Sequence, residues 1–229
     1  MTGACLVFRP SGRSLIAAVF GALAALSCGV FPASAETSRP TVPQATAFIQ
    51  ALADDAITVL NDTGGSDERR QREFGRLLDS SFEMQTIGRF AMGRHWNTCT
   101  ASQQDEYQDL FRAFVIHKYA TLLGGYSGQK FVVLRAIEAG DKDVMVSTEM
   151  SASGQDPMRA DWRVRNYNGR PKVIDIKVEG ISMLTSQRDE FGAVIQKSGI
   201  EGLLELLRQQ STTDAAAAGG LRHAKNGAS

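Results

Sequence analysis

The chain has 229 residues, enough for one domain with a real hydrophobic core. Basic and acidic side chains balance at 25 each, which excludes the basic excess of a nucleic-acid binder. Of the three cysteines, Cys5 and Cys28 lie in an N-terminal leader and only Cys99 follows it, so the rest of the chain has no internal disulfide and must be held by packing.

Residues 1–35 read as a cleavable secretory signal. Arg9 and Arg13 form its positive end, Ser14–Leu26 its apolar run, and Ala33-Ser34-Ala35 a cleavage site before Glu36, the first acidic residue. Pro32 and the many small residues argue against a membrane anchor. A lipoprotein signal at Ala25-Leu26-Ser27-Cys28 lacks the large apolar residue that usually opens that motif. The expectation is an exported protein: signal over 1–35, one domain over 36–210, and a disordered Ala/Gly/Ser-rich tail over 211–229. From position 36 on, 23 basic residues face 25 acidic ones.

Thr41 and Gln44 have capping-box spacing, with Pro43 in the first turn. Phe48, Ile49, Leu52, Ala56, Val59 and Leu60 then form one helical stripe, ended by Asn61–Gly65. Ser66 caps a second helix, whose apolar face is Phe74, Leu77 and Leu78. Phe82–Met92 reads as a third, short helix stopped by Gly93. Thr100 and Gln103 repeat the capping-box spacing and open the strongest helix, with Tyr107, Leu110, Phe111, Phe114, Val115, Tyr119, Leu122 and Leu123. Gly124-Gly125 ends it.

Phe131–Glu138, Val144–Met150, Met158–Asn166 and Lys172–Glu179 read as four strands with short connections, hence an antiparallel meander. In the third, Met158, Ala160, Trp162 and Val164 alternate with Arg159, Asp161, Arg163 and Arg165, so one face is apolar and the other charged. In the fourth, Ile174, Ile176 and Val178 oppose Asp175, Lys177 and Glu179, and Gly180 breaks the pattern. A helix follows from about Ser182, stops at Ser198-Gly199, and gives way to a last one carrying Leu203, Leu204, Leu206 and Leu207. Helices, then a sheet, then helices make an α+β domain: a four-stranded twisted antiparallel sheet covered by helices.

Catalytic constellations are missing. His95, His117 and His223 share no ligand spacing with one another or with Cys99, so no metal site is expected. Gly124-Gly125-Tyr126-Ser127-Gly128 has Gln129 after it and follows a helix, so it is not a nucleophile elbow. Asp175 and Glu179 share a strand face roughly 13 Å apart, too far for a glycosidase pair. Asp175 is expected to pair with Arg163 or Arg165. It is also the only carboxylate worth testing should the chain be an exported hydrolase or isomerase. A third reading is a docking module acting through Arg159, Asp161, Arg163 and Arg165.

Phe90-Ala91-Met92-Gly93-Arg94-His95-Trp96, Phe111-Arg112-Ala113-Phe114, Tyr119, Tyr126-Ser127-Gly128-Gln129, Asp161-Trp162-Arg163-Val164-Arg165 and the corner Glu179-Gly180-Ile181-Ser182-Met183 stand in one order. With Gln187-Arg188, Phe191 and Gly199-Ile200, this set resembles the MlaC, or toluene-tolerance auxiliary, family over roughly Ala45 to Arg208. The resemblance implies a periplasmic carrier with an NTF2-like or cystatin-like fold and an internal apolar cavity. Its cargo is phospholipid, passed between an MlaA-like outer-membrane lipoprotein and an MlaD-like MCE/ABC transporter complex. The hopanoid-associated HpnM branch fits the same residues. Neither cofactor nor enzymatic step is implied. A two-chain lipid carries about thirty methylenes, each gaining ~0.8 kcal/mol on leaving water, so a carrier must supply a closed apolar site worth roughly 20 kcal/mol. The apolar faces nominate Tyr119, Leu123, Val146, Trp162, Val164, Ile174, Ile176, Met183 and Phe191 as its lining.

Overall fold

Both capping boxes close. Thr41 N–H donates to Gln44 Oε1 at 2.9 Å and Gln44 N–H to Thr41 Oγ1 at 3.3 Å, opening α1 (Val42–Asn61). Thr100 and Gln103 exchange the same pair of bonds at 3.0 and 3.2 Å and open α4 (Ala101–Ala120). Between them lie α2 (Asp67–Ser81), α3 (Met84–Met92) and a 3-10 turn (Gly93–Thr98). The computed structural model describes residues 39–61, 67–120, 128–152, 154 and 156–225. The signal-like stretch 1–35 and Leu123 lie outside them.

The helix predicted from Phe82 starts two residues later, because Phe82 and Glu83 are spent on the sheet. Phe82 bridges Val173 in parallel, and Glu83 N–H donates to the Val173 carbonyl at 3.0 Å. The sheet itself runs β1 (Lys130–Ala139), β2 (Asp143–Ser151), β3 (Met158–Tyr167), β4 (Arg170–Val178) and β5 (Ile181–Ser182), in that spatial order and antiparallel throughout. The fifth strand corrects the expected four. Glu179 (φ 48°) and Gly180 (φ 82°) both take left-handed conformations, the geometry of a tight hairpin turn, so the chain folds back on β4 before its helix begins. Asn168 (φ 51°) and Gly169 (φ 76°) join β3 to β4 in the same way.

A bulge changes which residues of β4 face inward. Arg163 pairs with Asp175 and Val164 with Val173, which leaves Ile174 unpaired between them. Val173, not Ile174, therefore shares a face with Ile176. A second bulge leaves Leu134 unpaired in β1.

The apolar residues form two separate clusters. One lies between α1 and the sheet: Ala45, Ile49 and Leu52 against Val144, Val146, Val164 and Val173. The other is built from helices alone: Ala91, Met92, Tyr107, Phe111, Phe191, Ile195, Leu203, Leu204 and Leu207. Here α4 rests on α2, α3 and α5, while the strands are covered by α1 and, at β4, by α2, α3 and α5. Arg112 holds Asp79 of α2 with two bonds, at 2.8 and 2.6 Å. The Tyr107 hydroxyl donates to the Gly88 carbonyl of α3 at 2.9 Å. Arg208 of α5 donates to Glu106 at 2.7 Å.

The last helix, α5 (Met183–Lys225), is broken at Gly199, where φ is 71° and ψ −179°. The helical pattern predicted this break. The second arm continues through 211–225, where the composition suggested disorder; Ser211 Oγ donates to the Leu207 carbonyl at 2.9 Å, and the alanines at 215–218 favour helix.

The outward face of the sheet is charged, with an unexpected pairing. Arg163 and Arg165 do not hold Asp175. Both reach Asp143 at the start of β2, through contacts of 2.6 Å from Arg163 Nε and 2.9 Å from Arg165 Nη2. Asp143 is 1% exposed. Burial alone would raise its carboxyl, but hydrogen bonds from Arg165 and Arg163 outweigh it and hold the group below its ordinary value.

Two measurements test these points. No atom lies within 4 Å of a Cβ added at Gly199, so Gly199→Ala strains the backbone only; urea unfolding is expected to show a loss of about 1–3 kcal/mol. The unfolded chain protonates Asp143 at a higher pH than the folded one. Its contribution is therefore full above the ordinary value near pH 4 and is lost as pH falls through the lowered folded value. Asp143→Asn is expected to cost ~1.5–3 kcal/mol at pH 7 and to flatten the acid limb of stability below about pH 4.

Candidate functional site

Strand register sorts the inward face of the sheet into rows. Val144, Val164 and Val173 make the first, Ala136, Val146, Trp162 and Ile176 the second, and Val133, Thr148, Ala160 and Val178 the third. Phe131, Met150 and Met158 make the last. Burial falls along this series on β3 and β4, while Val146 and Thr148 of β2 stay buried. The first row is 0% exposed beneath α1, whereas Trp162, Ile176, Ala160, Val178, Phe131 and Met150 are half-buried and Met158 is 39% exposed. The face stays apolar where its cover ends. Among the described residues α4 packs chiefly on α2, α3 and α5 rather than on the strands.

The expected lining residues divide accordingly. Trp162 and Ile176 lie on the half-open part of the face. Val146 and Val164 are 0% exposed against Ile49 and Leu52, so they are core. Ile174 sits in the bulge, 6% exposed and in neither cluster. Phe191 lies in the helical cluster, its ring edge-on to Tyr107 and Phe111 at 6.2 and 6.1 Å. Met183 is half-buried at the first position of α5. Tyr119 is half-buried near the end of α4, with Lys118 Nζ 6.0 Å from its ring centre. Burial pushes the Tyr119 phenol up and the nearby Glu190 carboxylate pushes it further.

Periodicity did not single out Thr148. It lies on the inward face between Val146 and Met150 of the same strand and is 2% exposed. The clue in the sequence is the alternation Val144, Val146, Thr148, Met150, in which a hydroxyl takes an apolar position. Phe131 and Val133 belong to the same face.

Asp175 has a structural task. It accepts from Ser182 Oγ at 2.8 Å and from Leu184 N–H at 3.3 Å, while Ser182 Oγ accepts from Thr185 N–H at 3.0 Å. Strand carboxylate and helix cap thus close the positive end of α5 together. Glu179 Oε1 accepts from Arg159 N–H at 2.6 Å, and Glu179 N–H donates back to the Arg159 carbonyl at 3.1 Å. Arg188 does not reach this corner; its guanidinium lies 5.0 Å from the ring centre of Phe90.

Other chemistry is sparse among the described residues. They hold no group of three or more His, Cys, Asp or Glu side chains placed for a metal, and no helix long and apolar enough to cross a membrane. Cys99 donates weakly to the His95 carbonyl at 3.4 Å, and burial pushes its thiol up. A cleft of about 590 Å³ lies beside the start of α1, lined by Arg39, Thr41, Glu138 and Asp141 with two prolines and Val42. Its place at the far end of β1 separates it from the apolar face around Trp162 and Ile176.

Asp175→Ala is expected to lower stability by about 1 kcal/mol through loss of the α5 cap, measured by urea unfolding.

The comparisons bear on the whole domain. The profile of the MlaC protein family matches residues 50–209. The intermembrane phospholipid transport system binding protein MlaC of Haemophilus influenzae (strain ATCC 51907 / DSM 11121 / KW20 / Rd) is 27% identical over 134 residues, which span 56% of this chain and 62% of that protein. A phospholipid-binding protein from Ralstonia solanacearum, solved in complex with a phospholipid, superposes with a TM-score of 0.65 at 27% identity. That match covers 75% of this chain and 99% of the Ralstonia chain. With the profile matched over more than half its length, the chain belongs to the MlaC family.

Proposed function

We propose that the protein is a periplasmic phospholipid carrier and not an enzyme. It holds acyl chains against the inward face of the sheet and carries them between membranes. The observation that carries this reading is the apolar face left half-open from Trp162 and Ile176 outward, while the rest of the core is packed. The phospholipid bound by the Ralstonia relative supports it. The residues that meet lipid on this reading are Trp162, Ile176, Tyr119 and Met183, with Phe131 and Val133 added from the structure. The donor and acceptor of the cargo are an MlaD-like transporter complex and an MlaA-like lipoprotein, with no direction assigned.

Such a carrier needs a dry surface more than it needs polar contacts. Covering about thirty methylenes offsets roughly 20 kcal/mol of hydration cost, and the headgroup can remain in water at the mouth. Asp175 is engaged at the α5 cap, which removes the carboxylate on which the hydrolase reading depended.

An organic extract of the purified protein, read by mass spectrometry, is expected to contain about one phospholipid per chain. A hopanoid in its place would assign the cargo to the HpnM-like branch, and an empty extract would overturn the proposal. Ile176→Trp adds bulk where the face is open, so bound lipid should fall severalfold with the melting temperature changed by only a few degrees.

A further inference from the structure

We infer that Thr148 is a positioning residue for the lipid site: its hydroxyl fixes the indole of Trp162 so that the ring offers an apolar surface to the bound chains. Trp162 Nε1–H donates to Thr148 Oγ1 at 2.9 Å, and Thr148 Oγ1–H donates onward to the Ala160 carbonyl at 3.2 Å. The relay runs along the sheet, from β3 to β2 and back to β3.

A hydroxyl at this position calls for a cause. The neighbouring inward residues of β2 are Val144, Val146 and Met150, and Thr148 is 2% exposed among them. Burying a hydroxyl is unfavourable unless its hydrogen bonds are met, and valine would fill nearly the same space without that demand. The hydroxyl here is fully used, accepting one bond and donating another. The group it serves is the indole N–H, which can only donate. Trp162 is the largest side chain in the second row of the face and stands half-buried at the border between closed core and open surface. An indole N–H left without a partner there would draw water or turn its polar edge toward the chains. With Thr148 as acceptor the N–H is satisfied inside the sheet, and the broad ring can face lipid dry.

This inference rests on the carrier reading, and the test separates the two. Phospholipid per protein is measured after purification for the parent chain, Thr148→Val, Thr148→Ser, Trp162→Phe and the Thr148→Val/Trp162→Phe pair, alongside tryptophan emission. Thr148→Val is expected to weaken lipid retention about tenfold, equivalent to ~1.4 kcal/mol, with a shifted Trp162 emission over the constant signal of Trp96. Thr148→Ser keeps the hydroxyl and should behave as the parent, which also serves if the valine variant fails to fold. In the Trp162→Phe background the N–H is gone, and Thr148→Val should cause no further loss. Parent-like loading by Thr148→Val, loss of lipid in Thr148→Ser, or an equal loss from Thr148→Val in both backgrounds overturns the positioning role. A parent protein that carries no lipid overturns the carrier reading itself.

Discussion

Helix α4 is tied to other helices on three sides: by the Arg112–Asp79 fork to α2, by the Tyr107 hydroxyl to the α3 backbone, and by Glu106 to Arg208 of α5. Its aromatic stripe is used up in the same direction, Tyr107 stacking on Phe111 with ring centres 5.6 Å apart. Its packing is thus directed chiefly at helices. Among the described residues the apolar side chains fall into two clusters rather than one, and the sheet is covered by α1 and, at β4, by α2, α3 and α5. The open apolar face is what remains after each cluster has closed on itself.

The strongest local signals could be read before the fold was known. Both Thr-x-x-Gln spacings became capping boxes, because each supplies two hydrogen bonds within four residues and needs nothing from the rest of the chain. The break at Gly199 was equally legible, since only glycine tolerates that conformation. What escaped depended on register. Strict alternation placed Ile174 with Ile176, but one unpaired residue shifts every neighbour to the other face, and the bulge does this between Arg163 and Val164. Pairing of charges escaped for the same reason. Asp143 and Arg165 are 22 residues apart and meet only because β2 and β3 align them.

The same limit explains the site. An inward-facing residue and a lining residue have the same periodicity, and only the extent of α1 separates Val146 in the closed core from Ile176 at its edge. Thr148 carries no distinguishing signal in its strand propensity, because β-branched residues suit strands whether or not their hydroxyls are used. Asp175 drew attention as an isolated acid, yet its partners are Ser182 and the backbone of the next helix, seven and nine positions along.

Phe82 and Glu83 occupy the free side of β4, and the two-residue β5 occupies its end, so among the described residues β1 is the long edge of the sheet. That strand carries the Leu134 bulge together with Lys130, Arg135 and Glu138. A kinked backbone and charges along an edge oppose fibril-like stacking of strands from neighbouring molecules. The same strand exposes Val132, Leu134 and Ile137, so the kink and the charges are what separate this partly apolar edge from edge-to-edge self-association.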